Sequence, residues 1–196
     1  MLRKNGFIFM LMLLSKIFWG FQILIPMDET QRNHLKAYGI AYWVLKQDVE
    51  IYWLLNYRGG SFLLPGNKAI INECNIRGVS YENISDAQAN SILAEIVQPE
   101  VNMDAMKLEK APKIAVYSPK SKQPWDDAVT LALTYAEIPY EVVYDDEILS
   151  GVLKNYDWLH LHHEDFTGQY GRFYAQYGHA AWYKQQVKEN EEIAKR

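Results

Sequence analysis

Short apolar runs alternate with segments of helical periodicity from Phe21 to the end of the chain. Because parallel strands are joined by crossover helices, this alternation is typical of βαβ units. The predicted strands are 21–26, 49–55, 79–84, 113–117, 140–144 and 157–163, with a short extension at 62–65. The predicted helices are 28–46, 67–77, 86–97, 125–137, 146–154 and 180–196. The sequence therefore predicts an α/β fold with a mainly parallel sheet.

Local signals support several of these elements. Val49–Leu55 is an almost unbroken apolar run, as expected of a strand covered on both faces. Ser85 and Gln88 have the spacing of a capping box, and Gly78 is placed to end the helix before them. Residues 98–112 have prolines near both ends and only scattered apolar side chains, which indicates a linker within the α/β body.

Composition and charge exclude several classes of protein. Of the 196 residues 49% are hydrophobic, so the chain can bury a core and is not a disordered tail. Cys74 is the only cysteine, which excludes a disulfide scaffold. The formal charge is −4, and the body beyond residue 20 is more acidic, because the first twenty residues hold three bases and no acid. An acidic body argues against nucleic-acid binding.

The first twenty residues have the pattern of a secretory signal. A basic segment with Arg3 and Lys4 precedes the apolar run Phe7–Leu14, which is too short to span a bilayer. We predict a signal peptide over 1–20 and a periplasmic or secreted protein. There are two alternatives. Residues 7–27 could form an uncleaved anchor, which would be the protein's only contact with a membrane, or the segment could be a buried N-terminal element.

The densest cluster of ligand-type side chains is His160-Leu-His-His-Glu-Asp165. On a strand, His160 and His162 share one face. His163 lies on the other face, and Glu164 adjoins them. Open α/β sheets bind ligands at the carboxyl ends of their strands, where this run is predicted. These four residues are the catalytic candidates if the protein is an enzyme. Three interpretations of this cluster remain open: hydrogen-bonded residues at a strand end, a polar substrate pocket, and a metal site. For the metal site, no further ligand can be identified in the sequence.

Neighbouring segments supply candidates for substrate binding. Pro124–Asp127 opens a predicted helix, where its carboxylates either bind a substrate hydroxyl or offset the helix dipole. The Gly- and Tyr-rich loop 164–178 either contacts a sugar or a partner, or packs over the end of the sheet. The predicted substrate-binding residues are Asp165, Gln169, Tyr170, Trp125 and Asp126. No metal ligand and no cofactor are predicted.

Two other motifs favour structural roles. Cys74 lies within a predicted helix, whereas a nucleophilic cysteine usually sits at a helix N-terminus, so a buried thiol is favoured. Arg58-Gly-Gly-Ser61 lacks the spacing of a phosphate-binding loop and predicts a turn with positive φ. The last predicted helix has no terminating glycine and no strand after it, which indicates an N-terminal fragment of a longer fold.

Six segments together resemble a family of exported Bacteroidota proteins that are often labelled asparagine synthetase B. The segments are Phe21–Asp28, Leu35–Trp43, Trp53–Phe62, Lys113–Lys120, Trp125–Thr130 and Trp158–Gln169. The resemblance implies a class I glutamine amidotransferase-like fold, a flavodoxin-like three-layer sandwich that is incomplete at its C-terminus. It also implies that any nucleophile of that fold lies beyond Arg196.

The residues do not fit the activity that the family label names. An asparagine synthetase of that type carries a nucleophilic cysteine at position 2, where this chain has Leu2. It also needs a Ser-Gly-Gly-x-Asp-Ser loop, which Arg58–Ser61 does not match. If the protein is an enzyme, we therefore expect hydrolase or amide chemistry without ATP, with a histidine as general base or as a group that orients the ligand. The alternatives are a non-catalytic cell-envelope module that binds a small molecule or an envelope partner, and a metal-dependent hydrolase.

Overall fold

A computed structural model describes residues 20–118, 128–161 and 175–195. The chain divides into two compact units, which we call the N-terminal unit, Met1–Lys110, and the C-terminal unit, Ala111–Arg196. Each unit has its own sheet, and the two sheets differ in strand direction. No helix in the described ranges is long and apolar enough to cross a membrane.

The described residues of the N-terminal unit form five strands and three helices. Its strands are β1 (Phe21–Ile25), β2 (Ile51–Leu55), β3 (Ser61–Pro65), β4 (Glu82–Ser85) and β5 (Asp104–Leu108). Its helices are α1 (His34–Leu45), α2 (Lys68–Arg77) and α3 (Asp86–Ile96), with a short 3-10 turn at Tyr57–Gly59.

The five strands form one sheet in the order β4-β1-β3-β2-β5, and every neighbouring pair is antiparallel. The expectation of a mainly parallel, flavodoxin-like sandwich is therefore wrong. From β1 to β4 the chain follows a β-α-β-β-α-β path with the strand order 4-1-3-2, which is the ferredoxin-like, split βαβ arrangement. Helix α1 connects β1 to β2, and β3 lies between these two strands. Helix α2 connects β3 to β4, and β1 lies between those two strands.

Coverage of both faces explains why these antiparallel strands have the sequence pattern of parallel ones. On one face Leu24, Leu54 and Leu63 pack in a cluster with residues of α3. On the other face Phe62 contacts the ring of Tyr38 on α1 at a centroid distance of 5.4 Å. α2 packs against α1. Because a strand buried on both faces loses its apolar and polar alternation, its sequence gives no indication of the direction of its neighbours.

Local capping signals place the helices. α2 begins after Asn67, whose side chain accepts a hydrogen bond from the Ala69 amide, and ends at Gly78 with φ 69°. α3 begins with the predicted Ser85 and Gln88 capping box, so both predicted helices are confirmed. α1 begins at His34 rather than at residue 28, because Asn33 caps it.

Part of the predicted linker 98–112 forms β5, which pairs with β2 at the edge of the sheet. The sequence pattern missed this strand because its apolar side chains, Ala105, Met106 and Leu108, do not form an unbroken run, and none of its five side chains is fully buried. Lys107 of β5 forms an ion pair with Glu50, Nζ to Oε2 at 2.8 Å. Charged side chains are common on edge strands, where they discourage pairing with other chains.

The C-terminal unit contains a three-stranded parallel sheet in the order β7-β6-β8. Its strands are β6 (Ile114–Tyr117), β7 (Glu141–Val143) and β8 (Trp158–Leu161). Its helices are α4 (Ala128–Ala136), α5 (Asp145–Leu149) and α6 (Ala181–Ala194), with 3-10 turns at Val152–Asn155 and Ala175–Tyr177. Among the described residues, parallel pairing is confined to this small sheet.

Candidate functional site

Only one residue of the predicted histidine site lies in the part of the chain that the structure describes. His160 is half-buried on β8, beside Val116 of the central strand β6. Its ring lies edge-on to that of Trp158, with centroids 6.4 Å apart. This position is near the carboxyl end of a parallel strand, as the sequence predicted.

The other predicted site residues lie outside the described residues. They are the catalytic candidates His162, His163 and Glu164 and the substrate-binding candidates Asp165, Gln169, Tyr170, Trp125 and Asp126. Within the described ranges, no group of three or more His, Cys, Asp or Glu side chains is placed to hold a metal ion.

Ser118 lies directly after β6 and has a fully buried side chain. Its amide donates to the Val143 carbonyl of β7 at 3.0 Å. Among the described residues, the Ser118 hydroxyl has no hydrogen-bond partner. An unpaired buried hydroxyl costs roughly 1–3 kcal/mol, so this position is energetically unfavourable unless another group pairs with it.

The N-terminal unit contains a surface groove of about 460 Å³ between α3 and the sheet, which we call the Arg58 groove. Its apolar lining consists of Leu24, Ile84, Ala87 and Ile92, and its polar lining consists of Tyr57, Arg58, Glu82, Gln88 and Ser91. The volume falls in the usual range for sites that take small molecules, which also combine apolar walls with a few polar groups.

Arg58 connects two segments that are distant in sequence. Its Nε donates to Oδ2 of Asp28 at 2.7 Å, and its Nη1 donates to Oε1 of Glu82 at 2.7 Å. Its Nη2 donates to the Thr30 hydroxyl at 3.3 Å, and that hydroxyl in turn donates to Asp28 Oδ1 at 2.5 Å. The four side chains therefore form one network at the polar rim of the groove.

Hydrogen bonding and charge shift the pKa values within this network. The hydrogen bond from Arg58, followed by that from Thr30, lowers the pKa of Asp28 to about 2. The hydrogen bonds to Asp28 and Glu82 raise the pKa of the Arg58 guanidinium above its ordinary value. Asp28 and Arg58 are therefore both charged at any pH where the protein works.

The backbone around Arg58 is held in an unusual conformation. Asn56 has φ 61° and Arg58 has φ 46°, which are left-handed values that cost free energy for residues other than glycine. Gly59 has φ 81°, and a Cβ atom at this position would lie 2.4 Å from the Met27 carbonyl oxygen. The Met27 amide donates to the Arg58 carbonyl at 3.1 Å. The predicted turn is confirmed, and it is fixed by close contact with the end of β1.

Tyr57 lies between the groove and the core. Its side chain packs against the cluster that contains Leu24 and Leu54. Burial, followed by the negative charge of Glu95, raises the pKa of the Tyr57 phenol above its ordinary value. The phenol is therefore neutral at physiological pH and available as a hydrogen-bonding group.

Two reactive side-chain types in this unit have structural roles. Cys74 on α2 is fully buried, and burial raises the pKa of its thiol to about 11. The prediction of a buried structural cysteine is confirmed, because a thiol with this pKa supplies little thiolate. The Nε2 atom of His34 lies 3.1 Å from the Met27 carbonyl oxygen and so takes part in a backbone contact.

Sequence reasoning missed the Arg58 groove. Arg58 lies 30 residues from Asp28 and 24 residues from Glu82, so no local pattern joins the three. The available signal was an arginine within a glycine-rich turn, which the sequence identified only as a turn. Comparisons with protein-family models, curated proteins and solved structures find no match to this chain.

Proposed function

We propose that this protein is an exported, non-catalytic module that binds a small molecule in the Arg58 groove. The observation that carries this proposal is the combination of an apolar floor, formed by Leu24, Ile84 and Ile92, with a polar rim already ordered by Arg58. Such a site orients a ligand without first having to organise its own side chains.

The order of the rim supports binding. Glu82 is held by Arg58, and Arg58 is held by Asp28, so the carboxylate of Glu82 keeps its position when the groove is empty. Side chains that are already fixed lose less conformational entropy when a ligand arrives. The strained turn at Arg58 is consistent with this role, because unusual backbone conformations cluster at functional sites.

The chemistry of the groove favours binding over catalysis. Its polar residues are Tyr57, Arg58, Glu82, Gln88 and Ser91. The side-chain Oε1 atom of Gln88 already accepts hydrogen bonds from the amide and the hydroxyl of Ser85. Among the residues that the structure describes, the groove lining contains no cysteine nucleophile and no histidine that could activate the Ser91 hydroxyl. A serine without such a base is a weak nucleophile.

A nuclear magnetic resonance titration tests this proposal. We expect neutral 2-phenylethanol to shift the amide resonances of Ile84, Ser91 and Ile92 in a saturable way. Ser91→Trp, which fills the groove, should abolish these shifts. Asn90→Trp is the matched control, because Asn90 is an exposed neighbour on α3 that does not line the groove. If both variants respond like the parent protein, the groove is not the binding site.

Export is the second part of the proposal. It is supported by the signal pattern of residues 1–20 and by the resemblance to exported Bacteroidota proteins. Expression in a Gram-negative host, followed by N-terminal sequencing of the periplasmic fraction, tests it. We expect a mature N-terminus close to residue 20. An intact Met1 in the cytoplasmic fraction would contradict export, and an intact Met1 in the membrane fraction would indicate an anchor.

Hydrolysis or amide chemistry in the C-terminal unit is a second candidate function. The observation that favours it is the position of His160 on β8, which pairs with β6. The buried side chain of Ser118 follows directly after β6. Ammonia release from L-glutamine by the purified protein tests this candidate. We expect release in proportion to protein concentration and its loss in His160→Ala. Release that His160→Ala leaves unchanged would exclude a catalytic histidine at this position.

A further inference from the structure

The charges around the Arg58 groove do not balance. One guanidinium, that of Arg58, faces two carboxylates, those of Asp28 and Glu82, each at 2.7 Å. Glu95 adds a third negative charge, which acts on the Tyr57 phenol in the groove. These four ionised groups therefore sum to a net charge of −2 beside the apolar floor.

Arg58 is poorly placed to receive an anionic ligand. Arginine binds carboxylates and phosphates best through two parallel N–H groups. The Nε and Nη2 groups on one edge of Arg58 already donate to Asp28 and Thr30, and Nη1 donates to Glu82. These bonds use three of the five N–H groups of Arg58, and an anion that approached the other two would also approach the carboxylates of Asp28 and Glu82.

The N-terminus of α3 would also favour an anion, but it is already compensated. A helix N-terminus carries a partial positive charge from its free amides. Here the Ser85 hydroxyl accepts from the Gln88 amide, and Asp86 supplies a full negative charge in the first turn. Asp86 therefore offsets the partial positive charge of this helix end.

Glu82 is the group best able to receive a ligand. Its side chain is 47% exposed, and its described ion pair uses only the Oε1 atom. The Oε2 atom therefore keeps its capacity to accept hydrogen bonds from a donor in the groove. Leu24, the cross-strand partner of Glu82, and Ile84 belong to the apolar lining of the same groove.

We propose that the Arg58 groove selects a ligand with one protonated amine and a compact apolar body. The ammonium group binds Glu82, and the apolar body lies on Leu24, Ile84 and Ile92. This inference rests on the proposed binding function and specifies the chemical class of its ligand.

Three probes of nearly equal size separate charge from shape: protonated 2-phenylethylamine, neutral 2-phenylethanol and anionic 3-phenylpropanoate. Each is titrated into the purified full chain at low ionic strength, and the shifts of groove amides give its dissociation constant. We expect the amine to bind about two- to five-fold more tightly than the alcohol, which is the range for an exposed ion pair, and the carboxylate to bind most weakly. The preference should shrink in 0.5 M salt, which screens exposed charges at roughly 4–5 Å.

Glu82→Gln tests the assigned partner. This variant should remove the advantage of the amine, so that the amine and the alcohol bind the variant about equally well, whatever the change in their common affinity. Glu100→Gln is the control, because it makes the same change in net charge at an exposed carboxylate outside the groove lining. If the alcohol binds but the amine gains nothing, or if the carboxylate binds most tightly, the amine selectivity is wrong and the binding function stands. If no probe shifts groove amides, both proposals fail.

Discussion

The two units contain sheets whose strands look alike in sequence but differ in strand direction and in burial. In the N-terminal unit the interior strands β1, β3 and β2 have fully buried side chains on both faces and run antiparallel to their neighbours. In the C-terminal unit the parallel strands flank one buried strand, β6, and both outer strands carry exposed apolar side chains. Apolar runs in sequence therefore report burial and do not report strand direction.

Identical substitutions in the two sheets test this difference most strongly. Leu54→Ala on β2 removes a fully buried side chain that packs against α3, and should lower the free energy of unfolding by about 3 kcal/mol. Leu161→Ala on β8 changes a side chain that is 39% exposed, and should cost less than about 1 kcal/mol. Urea unfolding followed by circular dichroism measures both. Equal losses would contradict the difference in coverage between the sheets.

Two glycines with positive φ give a matched pair within the N-terminal unit. Gly59→Ala places a Cβ atom 2.4 Å from the Met27 carbonyl oxygen, in addition to the backbone strain, and should cost at least about 2 kcal/mol. Gly78→Ala has the strain alone, because no atom lies within 4 Å of its new Cβ, and should cost about 1 kcal/mol. The same urea measurement ranks them. A cost for Gly78→Ala as large as that for Gly59→Ala would show that the contact with Met27 contributes nothing.

The Asp28 carboxylate makes the stability of the N-terminal unit depend on acid. Because its pKa falls from 3.8 to about 2 on folding, its contribution is complete above pH 3.8 and is lost as the pH falls through 2. Asp28→Asn should flatten the change in unfolding free energy between pH 2 and 4. Asp48→Asn is the control, because it removes an exposed carboxylate from a left-handed position that asparagine tolerates. Parallel profiles for the two variants would argue against the Arg58 ion pair.

The parts of the fold that sequence predicted are those with local causes. The capping box at Ser85 and the terminating Gly78 act within a few residues, so α2 and α3 were placed correctly. Strand positions were also largely correct, because burial leaves an apolar run. Strand direction depends on which distant strands pair, as between Leu24 and Leu63, and no local pattern encodes that choice.

The same reasoning explains what was missed at the site. Arg58 was visible in the sequence, but its partners Asp28 and Glu82 come from other segments and meet it only after the sheet forms. β5 was missed because an edge strand such as Asp104–Leu108 can lack a buried apolar run and still complete the sheet. Predicting this groove would have required the strand order, which brings β1 beside β4.

The smallest expected effect concerns the one thiol of the chain. Cys74 is fully buried on α2, and burial raises the pKa of its thiol to about 11, so thiolate is scarce and inaccessible at pH 8. We expect an aromatic disulfide reagent to label almost no protein in the native state and one thiol per chain in 8 M urea. Cys74→Ala, unreactive in both states, is the reagent control. Stoichiometric labelling of the native protein within seconds would show that α2 opens readily. The helices would then protect their face of the sheet less well than the burial of the strands indicates.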